Sequence, residues 1–267
     1  MSAPATTRKI TRRPRVHALI AAAGSGQRMT GPENKILLPL GGEAMIRHAV
    51  RAFQTHPRVE RIGVIVRGED HAALERCFPP GEARSKLVAW IAGGARRQDS
   101  VRNGLQALAG DPPDWVLVHD GARPFCTHAL IDRVLAALPR AQGVVPVLPV
   151  TDTVRRIEGG RSEVVERANL FLTQTPQGFH WEALWEAHLA AQEKGWRGTD
   201  DAQMLEAALK SGLEAVPQTV PARVLAGEGI ALLSVAGEAG NIKVTTDADY
   251  RYAEWLVVHR ARTGSKE

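Results

Sequence analysis

The sequence predicts an α/β domain: a mostly parallel sheet covered by helices on both faces, with a projecting β-arm. Short β-rich apolar runs alternate with stretches of helical apolar spacing through the first half of the chain. Those runs are continuously apolar rather than alternating, as strands buried on both faces must be. The chain has 267 residues, 44% hydrophobic and 24% charged, enough for one large domain that buries its own core without a disulfide or a metal. The longest clean apolar runs, such as Ala18 to Ala23, are too short to span a bilayer. Collagen, coiled coil, disordered tail and membrane protein are thereby excluded.

In order, the periodicity predicts strands over Val16–Ala22, Val59–Val66, Leu87–Ile91, Val116–His119 and Gly143–Val147. Between them it predicts helices over Met45–His56, Asp70–Cys77, Gln98–Leu108 and His128–Leu138. Each strand is followed by a helix, a Rossmann-like alternation whose ligands bind beyond the carboxyl ends of the strands. The rhythm breaks at residue 150. Val150–Asn169 is polar and β-branched with Gly159-Gly160 at its centre, a hairpin with too few core residues to fold back. Helices resume at Trp181–Gln192 and Asp200–Lys210. Pro217–Gly240 is punctuated by Pro and Gly and holds one strand, Ile230–Val235, and a helix over Ala248–His259 closes the fold. The expected organisation is a disordered basic leader over residues 1–15 and a single domain over 16–262, with the arm at about 150–169.

Charge places the chain further. The net charge is +5, from 34 basic and 29 acidic residues, with a pI near 9.5. Arg8, Lys9, Arg12, Arg13 and Arg15 account for all of the excess, leaving 29 basic against 29 acidic residues. A neutral domain with a basic leader argues against nucleic-acid binding through a broad basic face. The leader lacks an apolar h-region, so it is no secretory signal. Cys77 and Cys126 are the only cysteines, which points to a reducing, cytoplasmic setting and away from a disulfide framework or a cysteine zinc site. The nine histidines show no pair at a ligand spacing on a shared face.

Three loops at strand ends could carry chemistry. AAGSGQRM, residues 22–29, is neither a Walker A motif nor the dinucleotide fingerprint, since Met29 takes the place of the third glycine. It holds Arg28 and runs on to Lys35, and two cations in a long glycine loop suit a polyphosphate. The alternative is a tight turn without a ligand. HDGARP, residues 119–124, places Asp120 for a metal or a sugar hydroxyl and Arg123 for phosphate, or else Asp120 caps the next helix. Gly93–Ser100 is a third glycine turn, or a plain strand-to-helix connection. A short-chain dehydrogenase would need Tyr-x-x-x-Lys, and neither Tyr250 nor Tyr252 has lysine four residues on. Asp247-Ala-Asp249, the one Asp-x-Asp, reads as a helix cap with Thr246.

AAGSGQRM with Lys35, GGARRQDSV, HDGARP, Asp152–Val154, Glu166-Arg167, TPQGF from Thr175, TDD from Thr199 and NIKVT from Asn241 occur in one order. Together they resemble the bacterial and plastid 2-C-methyl-D-erythritol 4-phosphate cytidylyltransferases of the non-mevalonate isoprenoid pathway, over residues 16–258. The resemblance implies that Ala22, Ala23, Gly24, Ser25 and Gly26 with Gly94, Ala95 and Ser100 hold the cytosine and ribose of CTP. It implies that Arg28 and Lys35 meet the triphosphate and stabilise the transition state. Asp120 and Arg123 would face sugar hydroxyls, phosphates or Mg2+, with Asp120 as the metal ligand. Thr153, Arg167, Thr175, Thr199 and Lys243 would grip the acceptor polyol phosphate, Arg167 and Lys243 aiming its phosphate. It also implies a homodimer in which each arm lies over the neighbouring subunit, with no membrane or nucleic-acid partner. The nucleophile would be a phosphate already largely dianionic at neutral pH, because its second pKa is about 6, so no general base is needed and pyrophosphate leaves. The competing readings are a ribitol 5-phosphate cytidylyltransferase and a non-enzymatic RNA-binding module working through the leader. Three departures from the family stand out: Asn34 replaces the proline before the loop lysine, Ala21 the proline that opens the first loop, and Ala95 an aspartate in the cytosine loop. Pro217–Gly240 is also longer than the family usually has.

Overall fold

The computed structural model describes residues 12–24, 34–79, 81, 85–211 and 230–263. Residues 1–11 of the leader, Ser25, Gly26 and Arg28 in the first loop, and 217–229 lie outside the described residues. In chain order the elements are β1 (Val16–Ala21), β2 (Pro39–Leu40), β3 (Glu43–Ala44), α1 (Met45–Gln54), β4 (Val59–Val66), α2 (His71–Cys77), β5 (Leu87–Ala92), α3 (Arg97–Leu108), β6 (Trp115–Asp120) and α4 (His128–Ala137). There follow β7 (Ala141–Pro149), β8 (Val154–Glu158), β9 (Arg161–Val165), β10 (Phe171–Thr173), β11 (Gln177–His180), α5 (Trp181–Glu193), α6 (Asp201–Lys210), β12 (Ile230–Ala236) and α7 (Asp247–Thr263).

β1 shows why its sequence is continuously apolar. Val16, Ala18 and Ile20 pack towards α1, α2 and α4, while Leu19 packs towards α3, α5 and α6. Both faces are thus covered, and every apolar side chain removed from water contributes to stability. β1 pairs in parallel with β4 and β6, and β5 adds in parallel to β4. A smaller apolar cluster of Leu40, Met45, Phe125, Val244 and Ala253 seats α7. Thr127 caps α4, its hydroxyl accepting the Leu130 N–H at 3.1 Å, so the cap that Asp120 might have supplied is filled by another residue. Thr246 and Asp249 exchange bonds at the start of α7, as the helix-cap reading of the Asp-x-Asp expects. Among the described residues no helix is long and apolar enough to cross a membrane.

The second half is less regular than the sequence suggests. β11 runs antiparallel between β6 and β7, and β10 runs antiparallel to β7. Their registers show one antiparallel course, Phe171–His180, interrupted around the cis Thr175–Pro176 bond. β12 adds in parallel along the other edge of β7. No strand is predicted over Phe171–His180, because FLTQTPQGFH carries polar residues and a proline and neither half reaches the length that makes a strand legible. Residues 12–15, assigned to the leader, lie against the domain: Arg12 pairs with Asp114 at 2.8 Å, and the Arg15 guanidinium grips Asp111 through both terminal nitrogens. The arm is a two-stranded hairpin, β8 with β9, turning on Gly159 (φ 55°) and Gly160 (φ 76°). Two consecutive left-handed residues are the turn that matches strand twist, and only glycine adopts both freely.

Candidate active site

A cavity of about 750 Å³ opens where β1, β4, β5 and β6 end. Its wall takes Ala21–Gly24 from the end of β1, Lys35 and Ile36 from the turn beyond, Arg67 after β4, Gly94–Arg97 and Ser100 after β5, Asp120 and Ala122 at the end of β6, and Lys243. The parallel ladder continues past the strands, Ala22 N–H bonding Ile65 C=O and Gly93 N–H bonding Val66 C=O at 2.8 Å each. That brings the first and third glycine loops together. A Cβ on Gly93 would stand 2.4 Å from that of Ala23, so close approach of the two loops requires glycine there. Ser100 braces its own loop: its hydroxyl accepts the Gly94 N–H and donates to the Arg96 carbonyl, both at 3.0 Å.

Asp120 is the electrostatic centre. Its Oδ2 lies 2.7 Å from Lys243 Nζ and 3.8 Å from Arg123 Nε, and its Oδ1 lies 3.4 Å from Arg97 Nε. Burial disfavours the carboxylate, but Arg97, Lys243 and Arg123 together outweigh it and hold Asp120 well below the usual carboxylate range. Arg97 also meets the fully buried Asp201, the first residue of α6, at 2.8 Å, and His188 lies 3.3 Å from the other oxygen of that carboxylate. Burial opposes the charge on Arg97, and Asp201 and Asp120 overcome it, so the guanidinium stays protonated.

Behind the wall a second set of bonds fixes Asp120. Its N–H donates to the Thr175 hydroxyl at 3.1 Å, which leaves that hydroxyl to donate to Nδ1 of His119 at 3.0 Å. His119 Nε2–H is then free to donate to the Arg123 carbonyl at 3.0 Å. Burial pushes the His119 pKa down to about 4, so the ring is neutral, as this tautomer requires. Arg123 donates to the carbonyls of Asn241 (2.8 Å) and Thr173 (3.3 Å), and Asn241 Nδ2 to that of Thr175 (2.8 Å). These bonds pin the NIK segment and bring Lys243 to Asp120.

Of the residues singled out from the sequence, Ala22, Ala23, Gly24, Lys35, Gly94, Ala95, Ser100, Asp120 and Lys243 share this wall. Arg123 and Thr175 are buried just behind it. Thr153, Arg167 and Thr199 are exposed and outside it. Arg167 donates to the Thr151 carbonyl, and Thr199 is engaged by Gln203 through N–H and hydroxyl. Sequence reasoning missed Arg67 and Arg97. Both follow a strand's carboxyl end closely, the place where ligand groups are expected in such sheets, so the loop after β4 carried a usable signal.

The 2-C-methyl-D-erythritol 4-phosphate cytidylyltransferase family model matches residues 16–214. A bifunctional IspD/IspF enzyme of Rhodospirillum rubrum is 42% identical over 243 residues, covering 91% of this chain, which spans only 57% of that protein. A 2-C-methyl-D-erythritol 4-phosphate cytidylyltransferase of Prochlorococcus marinus is 38% identical, with 92% of this chain and 100% of that protein covered. The crystal structure of the like-named enzyme from Thermus thermophilus superposes with a TM-score of 0.65 at 33% identity, covering 90% of this chain and 97% of that one. With one model spanning most of the sheet and relatives matching over nine-tenths of the sequence, the chain belongs to the 2-C-methyl-D-erythritol 4-phosphate cytidylyltransferase family.

Proposed function

We propose that this protein joins CTP to 2-C-methyl-D-erythritol 4-phosphate, giving 4-diphosphocytidyl-2-C-methyl-D-erythritol and pyrophosphate. Family membership supports the reading, and one observation of the structure carries it. Lys35, Arg67, Arg97 and Lys243 line a cavity floored by small residues, with Asp120 as the one acidic side chain among the described lining residues. Such a wall suits a nucleotide whose flat base lies on glycine and alanine backbone while its phosphates meet cations.

The acceptor phosphate attacks the α-phosphate of CTP in line. The acceptor oxygen forms a bond to that phosphorus as the bond to the bridging oxygen of pyrophosphate breaks, and the electron pair leaves with pyrophosphate. Two anions must be brought together, so positioning and positive charge do most of the catalysis. Lys35 meets the triphosphate, joined in the proposal by Arg28 from the same loop. Lys243, held by Asp120, directs the acceptor phosphate. Gly94, Ala95 and the backbone around Ser100 take the cytosine side, and Ser25 and Gly26 of the first loop are assigned to the same nucleotide.

The donor set fits Mg2+ carried in on the triphosphate. Mg2+ is commonly held by one or two carboxylates plus substrate phosphates, and Asp120 is a carboxylate in the cavity wall. The described residues hold no cluster of three acidic, His or Cys side chains to cage a metal without substrate. When bound, the ion neutralises phosphate charge.

The acceptor side is proposed to be completed by a second copy. Thr153 and Arg167 sit at the base of the arm, exposed, and do not line their own chain's cavity. Ile157 (72% exposed) and Val164 (59%) on the arm, with Phe171 and Leu172 nearby, leave apolar surface for such a contact. A two-fold dimer then holds two sites, each made of one chain's cavity and the other chain's arm. The two unpaired thiols, Cys77 and Cys126, suit a cytoplasmic setting.

Incubation with Mg2+, each of CTP, ATP and GTP, and either methylerythritol 4-phosphate or ribitol 5-phosphate tests the reading through pyrophosphate release. Release is expected with CTP and methylerythritol phosphate. A preference for ribitol phosphate overturns the acceptor assignment, and a preference for a purine nucleotide overturns the cytidylyl assignment.

A further inference from the structure

Lys35 follows Asn34, at the position where the resembled family has proline. Proline would lock φ near −65° through its ring. Asn34 sits at φ −67° and ψ 124° without that ring. Side-chain bonds do the holding. Its buried carboxamide accepts the Ile36 N–H at 3.4 Å and donates through Nδ2 to Asp70 Oδ2 at 2.7 Å. The same oxygen of Asp70 accepts from Arg67 Nε, also at 2.7 Å, and Arg67 pairs with Glu69 at 2.8 Å. Asp70 is 7% exposed, and although it precedes α2 its side chain caps nothing there. One buried carboxylate oxygen therefore ties together the residue before Lys35 and the guanidinium of Arg67, and both cations line the cavity.

We propose that Asp70 is a positioning residue that sets the two cavity cations, Lys35 through Asn34 and Arg67 directly, against the phosphates of the nucleotide. The inference rests on the nucleotide reading above and adds two things to it. Arg67 becomes a further phosphate-facing cation, and the rigidity that proline supplies elsewhere is supplied here by a hydrogen-bonded carboxylate distant in sequence.

The test places Asp70→Ala in two backgrounds, the natural Asn34 and Asn34→Pro. Proline holds the same φ with no help from Asp70. Two readouts are taken: kcat for pyrophosphate release, and the affinity for inorganic tripolyphosphate by titration calorimetry. In the Asn34 background Asp70→Ala should lower kcat about tenfold or more, because a displaced cation acts on the transition state. In the proline background the loss should shrink to about threefold or less, the remainder belonging to Arg67, since residues in one network couple by such factors. Tripolyphosphate affinity should follow the same pattern. Asp70→Asn keeps one acceptor oxygen and should fall between the two, and it stands in for Asp70→Ala if thermal melts show that variant unfolded. Equal losses in both backgrounds overturn the proposal. So does a fall in melting temperature with kcat and affinity unchanged. If the wild-type protein releases no pyrophosphate from CTP with either acceptor, the functional reading falls, and tripolyphosphate binding in the two backgrounds still decides the role of Asp70.

Discussion

Replacing Arg97 by methionine keeps most of its stem and removes the charge that holds Asp201. That carboxylate is fully buried on α6, with Arg97 at 2.8 Å and His188 at 3.3 Å. Breaking one partner out of a buried ion pair destabilises by about 3–5 kcal/mol, because the remaining charge is left without its counterion. Asp201 keeps His188 and the positive end of α6, which is worth up to about 1 kcal/mol at a helix N-terminus, so the lower end of the range applies. About 3 kcal/mol in a chain of this size lowers the melting temperature by roughly 6–12 °C. The assay is thermal and urea denaturation of Arg97→Met, Asp201→Asn and the double variant. Asp201→Asn removes the buried charge, so the double variant should lose less than the sum of the singles. Burial opposes the carboxylate of Asp201, and Arg97 and His188 overcome this and depress its pKa. Its contribution is therefore present above the unfolded carboxylate value of about 3.9 and is lost as pH falls from there through its lower folded value. The gap between wild type and Arg97→Met should accordingly narrow in acid. A loss below about 1 kcal/mol at neutral pH, or strict additivity, would refute the claim that this pair matters to stability.

Lys35→Ala should lower kcat about 10²–10³-fold, the effect of removing one preorganised donor, and a normal kcat with only a raised KM for CTP would contradict a transition-state role. Lys35→Ala and Arg167→Ala, each nearly inactive, should recover activity in about a quarter of sites when co-refolded, because half the dimers are mixed and half their sites inherit neither defect. No recovery, with heterodimers shown to form, excludes the shared site. Burial holds His17 and His119 at pKa values of about 4, below the 6.5 of the unfolded chain. Stability is therefore full above pH about 6.5 and falls towards pH 4, by about 3 kcal/mol for each histidine, and a flat urea midpoint over that window would be inconsistent with their burial as neutral rings.

The parallel half of the fold was readable because β1, β4 and β6 are buried on both faces and therefore carry unbroken apolar runs that need no knowledge of their neighbours. Phe171–His180 was not, because its strand character comes from β6 and β7 beside it and not from its own residues. In the site, Lys35, Asp120 and Lys243 were reachable as charges at strand ends or in motifs of known order. Arg97 was overlooked inside the pair Arg96-Arg97, where only the fold shows that Arg96 turns to Asp99 while Arg97 turns to Asp120 and Asp201. Asp70 is illegible in sequence for a further reason. It acts on a loop thirty-six residues away through Asn34, and that separation exists only on paper once the chain has folded.

The carboxylate of Asp120 already sits among Lys243, Arg97 and Arg123 before anything enters the cavity. Part of the cavity's positive charge is thus balanced by a fixed group, and an arriving anion shares Lys243 with that carboxylate. Ionic strength acts on exposed charges far more than on buried, paired ones. Arg123 is buried and Arg97 half-buried, whereas Lys243 is exposed, so raising salt should weaken nucleotide binding chiefly through Lys243 and the outer cations of the cavity.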